Sequence, residues 1–151
     1  MFRPTASVAK AASTAGYLAM ILGLLGLLLH RSLFAPAAAV VIAQVGALAL
    51  MLWARFTFGR RSFHFAADPT RGGLVTTGPY RFIRHPIYTA VCLFAWPGVL
   101  ANGSLPALGL GALLTAGAVV RMRCEEAFLA ERYPEYRRYA ATTKRMIPHV
   151  F

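Results

Sequence analysis

Acidic side chains are nearly missing from this chain. Sixteen lysines and arginines face only five acids, for a formal net charge of +11. The acids are Asp68 and four glutamates, and all four glutamates fall within 125–135. Charge of either sign is scarce: 14% of residues, against 58% hydrophobic. A soluble domain carries about a quarter charged residues, so this balance argues for a membrane protein. Cysteine is sparse too. Cys92 sits in an apolar run and Cys124 beside an acidic pair, without CxxC or zinc spacing, so both read as structural thiols. The histidines, His30, His64, His85 and His149, show no HxxxH or HExxH spacing, and no metal site is expected. No GxSxG and no Cys-His grouping supports a serine or cysteine nucleophile.

What the chain has in quantity is uncharged sequence. Residues 11–29, 32–54 and 86–120 carry no charge at all. At about 1.5 Å per residue, the first two are long enough to cross a hydrocarbon core of about 30 Å. The third is punctuated by Asn102-Gly103-Ser104 and Pro106, which predicts a helical hairpin with short arms. Those arms need either Tyr80–His85 or Arg121–Cys124 to reach full length, or else they cross only partly. The first run resembles a signal peptide in its flanks. However, His30 and Arg31 interrupt the cleavage region and a second run follows at once, so it is read as retained. The expected fold is all-α and polytopic, a single domain over 1–151. It has about four transmembrane helices: two N-terminal ones within 11–54, then the hairpin.

Basic residues set the expected orientation. Fifteen of the sixteen fall on one side of a four-span topology, leaving only Arg31 opposite. That side should be the cytoplasm, with both termini inside, at an inner or plasma membrane. The high charge is then topological, with some attraction to anionic headgroups. No recognition module for nucleic acid is visible, and no nucleic-acid partner is expected. Beyond the hairpin, Glu125–Tyr139 alternates apolar and charged residues. Pro134 divides this stretch, which predicts two short helices forming an amphipathic C-terminal cap on the membrane surface.

Two polar clusters flank the hairpin. Gly78–Tyr88 reads Gly-Pro-Tyr-Arg-Phe-Ile-Arg-His-Pro-Ile-Tyr, and Arg121–Glu126 follows the uncharged run. Buried polar groups at a membrane entrance are costly unless paired, so the two clusters are expected to form one site. Pro86 suits the first residue of a helix, which makes His85 its N-terminal neighbour. Arg121 and Glu125 stand at i and i+4 and can pair. Spacing alone allows two readings: a helix-end ion pair beside a solvated Glu126, or a ligand-binding carboxylate with an anion-binding Arg121. Adjacent Glu125 and Glu126 point about 100° apart on a helix and do not make a carboxylate dyad. Gly72, Gly73 and Gly78 are either turn residues or places where backbone approaches a planar ligand.

In combination these residues resemble the isoprenylcysteine carboxyl methyltransferase and phospholipid methyltransferase group of integral membrane enzymes. The matching elements are Leu74–Tyr80, Arg84–Tyr88, the hairpin, Arg121, Glu125-Glu126, Leu129, Tyr133–Tyr136 and Arg145–Pro148. Tyr133-Pro134-Glu135-Tyr136 departs from the family's usual Phe-Gly followed by an acid and Tyr. The additional helices of the eukaryotic enzymes are absent, which weakens any transfer of isoprenylcysteine specificity. The resemblance implies a cofactor-binding core over 72–149 and S-adenosylmethionine as the cofactor. It implies contacts from Gly72, Gly73, Leu74, Val75, Tyr80, His85, Pro86, Ile87, Tyr88 and Glu125, with Arg121 orienting the substrate. It further implies methyl transfer to a lipophilic small molecule or lipid: the carboxylate of a prenylated cysteine-like compound, or a phospholipid amine. Two other readings stay open, a membrane reductase using a nicotinamide cofactor and a non-catalytic basic membrane protein. Glycines in the first helix (Gly23, Gly26) and in the second hairpin arm (Gly109, Gly111, Gly117) permit close helix packing within or between chains, so oligomeric state is left undetermined.

Overall fold

The computed structural model describes residues 6–59, 73–148 and 150, and among them the chain is all-helical. Helix α1 spans Ala6–Leu29 and α2 spans Ala38–Phe58. A 3-10 turn at Gly78–Arg81 leads to α3, Pro86–Asn102. Helix α4 runs Leu105–Arg132 and α5 is the short Tyr136–Thr142. Three of these, α1, α2 and α4, are long and apolar enough to cross a membrane, while α3 is a shorter apolar helix. Their exposed faces carry Leu18, Leu22, Ile42, Val45, Leu52 and Phe56, side chains suited to lipid rather than water.

Local chemistry sets the hairpin. Pro86 occupies the first position of α3, where its missing N–H costs nothing. Gly103 ends α3 in the left-handed conformation with φ 65°, and its N–H bonds the Val99 carbonyl. Ser104 then caps α4, its hydroxyl accepting from the Ala107 N–H at 3.4 Å. Of the two expected extensions, the second arm takes in Arg121–Cys124, whereas Tyr80–His85 stay outside the first. Helix α3 is 17 residues and α4 is 28. No proline or glycine interrupts the sequence between Gly117 and Pro134, so α4 continues straight through Arg121–Glu126. The first of the two expected cap helices is therefore the end of α4, and only α5 stands as a separate short helix.

Helix α1 packs on α4 and α2 on α3. The α1–α4 seam is built from small residues. A Cβ on Gly16 would stand 2.8 Å from the Gly117 carbonyl, and one on Gly23 would meet Leu114 at 2.9 Å. Gly16 facing Gly117 and Gly26 facing Leu110 make the two helices antiparallel. Close packing by Gly23, Gly26, Gly111 and Gly117 is thus within the chain, whereas Gly109 faces open space. Gln44, the one strongly polar side chain of the second uncharged run, is buried. Its amide donates to the Leu33 carbonyl at 2.8 Å and the Phe94 carbonyl at 3.2 Å.

Candidate functional site

The site lies at the end of the bundle where α3 begins and the last turns of α4 emerge. At about 1.5 Å per residue α4 is roughly 42 Å long, against a hydrocarbon core of about 30 Å. Its final turns therefore stand clear of the apolar slab and present Glu125 and Glu126 to the α3 entrance. A third strand of chain joins them. Residues 143–146 run alongside 83–85, with a parallel bridge between Ile83 and Lys144. The Arg84 N–H bonds the Lys144 carbonyl at 2.7 Å and the His85 N–H bonds the Arg145 carbonyl at 2.9 Å. The Thr89 hydroxyl reaches the Met146 carbonyl at 3.0 Å.

Glu126 is the most heavily bonded side chain here. Arg84 donates to its Oε1 from Nε at 3.0 Å and from Nη2 at 2.7 Å. Arg145 donates from Nε to Oε2 at 3.0 Å and from Nη2 to Oε2 at 2.9 Å. His85 Nε2 lies 3.1 Å from Oε1. Arg84 also donates from Nη1 to the Ala140 carbonyl at 2.9 Å and to that of Thr143. The reading of Glu126 as a solvated neighbour is thus corrected: its side chain is 13% exposed and charge-paired from both sides. Sequence reasoning placed Glu126 in the polar cluster but gave it no role among the cofactor contacts. The available signal was an excess of cations, Arg84 and Arg145, around so few acids.

Glu125 belongs to a second, more open arrangement. The Tyr88 hydroxyl donates to its Oε1 at 2.5 Å, and Arg121 Nε donates to that hydroxyl at 2.6 Å and lies 3.3 Å from Oε1. The expected i,i+4 pair is present, with Tyr88 set between its members. Arg121 is buried, and its guanidinium lies over the Tyr17 ring at 4.9 Å, so α1 forms one wall. Met20, Met122 and Met146 pack around Tyr88. Among the described residues Glu125 Oε2 has one charged neighbour, His85 Nδ1 at 3.8 Å, and the side chain is 25% exposed.

Tyr80 closes another side. It is buried beneath Phe58, with ring centroids 5.6 Å apart, and its carbonyl accepts from the Tyr139 hydroxyl at 2.5 Å. Burial, and then the negative charge of Glu125, push its phenol above the usual range, with Arg55 pulling the other way. Burial pushes Tyr139 up to about 12 against the charge of Arg84. The hydrogen bond to Glu126 raises Arg145.

His85, Tyr88, Arg121 and Glu125 thus come together as one cluster, while Tyr80 makes its contacts with Phe58 and Tyr139. Pro86, fully buried, and Ile87 form the start of α3. Gly73, Leu74 and Val75 form the extended approach to the 3-10 turn, Gly73 at φ 80°, and contribute none of the glutamates' hydrogen bonds. Gly78, at φ 57°, is needed for its turn and for the room taken by the Thr57 side chain. Gly72 lies outside the described residues, as do Arg3, Arg60, Arg61, His64, Asp68, Arg71 and His149. Among the described residues no group of three or more His, Cys, Asp or Glu is placed to hold a metal ion.

Comparison with known proteins bears on this geometry. Residues 84–88 and 121–136 lie inside or at the edge of the stretch, 32–136, matched by the phospholipid methyltransferase family. Over 84 residues the chain is 36% identical to the cobalt-zinc-cadmium resistance protein CzcN of Cupriavidus metallidurans, covering 51% of this chain and 36% of that protein. Over 82 residues it is 34% identical to the nickel-cobalt-cadmium resistance protein NccN of Alcaligenes xylosoxydans xylosoxydans, covering 51% and 37%. The aligned stretch thus spans little more than a third of the length of either relative. No solved structure matches the chain. Because the family match takes in well over half of the chain, including both glutamates and the α3 entrance, this integral membrane protein belongs to the phospholipid methyltransferase family.

Proposed function

We propose that the chain transfers a methyl group from S-adenosylmethionine to a lipophilic acceptor, at a site facing the cytoplasm, with both termini on that side. The observation that carries this reading is the contrast between the two glutamates. Glu126 is saturated by three cationic or imidazole partners, while among the described residues Glu125 keeps one oxygen without a hydrogen bond, and a quarter of its side chain is exposed. A carboxylate held open in this way suits ligand hydroxyl or amine donors. The residues present fit such a cofactor: a carboxylate with an open oxygen, an imidazole beside it, and the tyrosine rings of Tyr80 and Tyr88. Bound there, S-adenosylmethionine supplies an activated methyl group for in-line displacement.

The chain's own contribution is alignment and exclusion of water. His85, Tyr88 and Glu125 hold the cofactor, with Tyr80 and the segment Gly72–Val75 beside it and Pro86-Ile87 shaping the entrance. Arg121, desolvated between Tyr17 and Tyr88, orients an anionic group of the acceptor. Acceptors of two kinds suit this arrangement: the carboxylate of a prenylated cysteine-like compound and a phospholipid amine. The acceptor's lipid portion enters laterally past α1 and α4, and the cofactor from water.

Two measurements test the reading. Purified protein in lipid nanodiscs should bind S-adenosylhomocysteine, with His85→Ala or Glu125→Ala weakening it by about 1–3 kcal/mol. Labelled cofactor incubated with a membrane lipid extract should yield a methylated lipophilic product. Binding indifferent to both substitutions, or binding of a nicotinamide nucleotide instead, overturns the proposal.

A further inference from the structure

We propose that Glu126 is a positioning residue: it fixes His85 as the Nε2–H tautomer and so presents Nδ1 as a hydrogen-bond acceptor beside Glu125. Two guanidinium groups, from Arg84 and Arg145, donate to the Glu126 carboxylate, one mainly to each oxygen. A carboxylate held this way is ionised and only accepts hydrogen bonds. Its contact with His85 Nε2 at 3.1 Å therefore requires the proton on Nε2. In the neutral imidazole, Nδ1 then carries a lone pair. Glu125 Oε2, 3.8 Å from it, is beyond hydrogen-bond range and is itself an acceptor.

The result is two acceptors side by side, Nδ1 of His85 and Oε2 of Glu125, arranged for an N–H or O–H donor placed between them. Adjacent positions on α4 produce this. Side chains about 100° apart reach the imidazole from two directions, one to each ring nitrogen. The ring is fixed in place as well. The His85 N–H is held by the Arg145 carbonyl at 2.9 Å, and the ring packs on Tyr88 with centroids 5.8 Å apart. Glu126 has no oxygen to spare for a ligand, so its influence on binding passes through His85.

The effect on ligand affinity rests on the cofactor reading above, whereas the tautomer does not, and the test separates them. Full-length protein labelled with ¹⁵N-histidine in nanodiscs gives the ring nitrogen shifts, with His85 assigned by its loss in His85→Gln. In the wild type, neutral His85 should show a protonated Nε2 and an unprotonated Nδ1. Glu126→Gln lets the carboxamide donate to Nε2, which should move the proton to Nδ1 and weaken S-adenosylhomocysteine about tenfold. Arg145→Gln, which loosens the 143–146 segment but leaves the carboxylate on Nε2, should lower thermal stability without changing the tautomer. A wild-type His85 ring protonated on Nδ1 overturns the proposal even when Glu126→Gln and Arg145→Gln fail to fold. An unchanged tautomer in Glu126→Gln, or a reversed one in Arg145→Gln, overturns it too. The expected tautomer without any cofactor binding would leave Glu126's role intact and sink only the cofactor reading.

Discussion

The two ends of the helix bundle are built from different material. At the far end, apart from His30 and Arg31, polar groups are small or neutral and close turns. Ser32 donates to the Leu27 carbonyl, Gln44 ties two carbonyls, and Asn102 and Ser104 bond each other. At the near end, Arg84, His85, Arg121, Glu125, Glu126 and Arg145 converge within hydrogen-bond reach. Turn closure needs only backbone and a hydroxyl or amide. Charged groups brought together and largely buried cost free energy unless fully paired, so an arrangement like the near end persists where it has a task.

The largest expected effect is at Glu126. Glu126→Ala leaves Arg84 and His85 buried beside each other without their carboxylate, a loss of about 3–5 kcal/mol of stability. Denaturant unfolding of the reconstituted protein measures it, and a loss below about 1 kcal/mol would erase the distinction between the ends. Next is the seam connecting them. A Cβ on Gly117 would stand 2.5 Å from the Gly16 carbonyl, so Gly117→Leu should force α1 from α4 at a cost of about 1–3 kcal/mol. Because Arg121 sits one turn beyond Gly117, ligand binding should weaken with it. Smaller again is Ser104→Ala at the far end, about 1 kcal/mol by the same unfolding measurement, with ligand affinity unchanged. A change in affinity there would show that the ends are coupled.

A further effect depends on pH. Tyr139 is raised from 10.0 to about 12 in the folded protein, chiefly by burial, so its neutral form is favoured when α5 is docked. The stabilisation is complete below pH 10 and fades as pH rises through about 12. A tyrosinate absorbance titration should show the delayed ionisation, and Tyr139→Phe should remove it.

Features set by neighbours in sequence were legible beforehand. Pro86 opening α3, Gly103 ending it and Ser104 opening α4 follow from conformational preferences that act within a few residues. The pairing of Arg121 with Glu125 follows from helical spacing. The extension of α4 through Arg121–Cys124 was one of the expected ways to complete its length, but its run on to Arg132 was not legible from charge: Val120 ends the uncharged run, whereas helices stop at glycine, proline or a cap, and none intervenes before Tyr133. The clasp on Glu126 was hidden for another reason. Its partners come from Arg84 and Arg145, 42 and 19 residues away, and only the folded chain shows that the 143–146 segment returns to α3. Gly16, unremarkable in sequence, matters because Gly117 faces it.

The length of α4 has a consequence for the host membrane. One continuous helix carries both the turn at the far surface and the glutamates at the near one, so their separation is fixed. A thicker bilayer would draw Arg121 and Glu125 toward hydrocarbon, and a thinner one would leave them in water, at a cost of fractions of a kcal/mol per ångström of mismatch. The same polypeptide is thereby tuned to a particular bilayer, and reconstitution in lipids of graded acyl-chain length would find an optimum rather than a plateau.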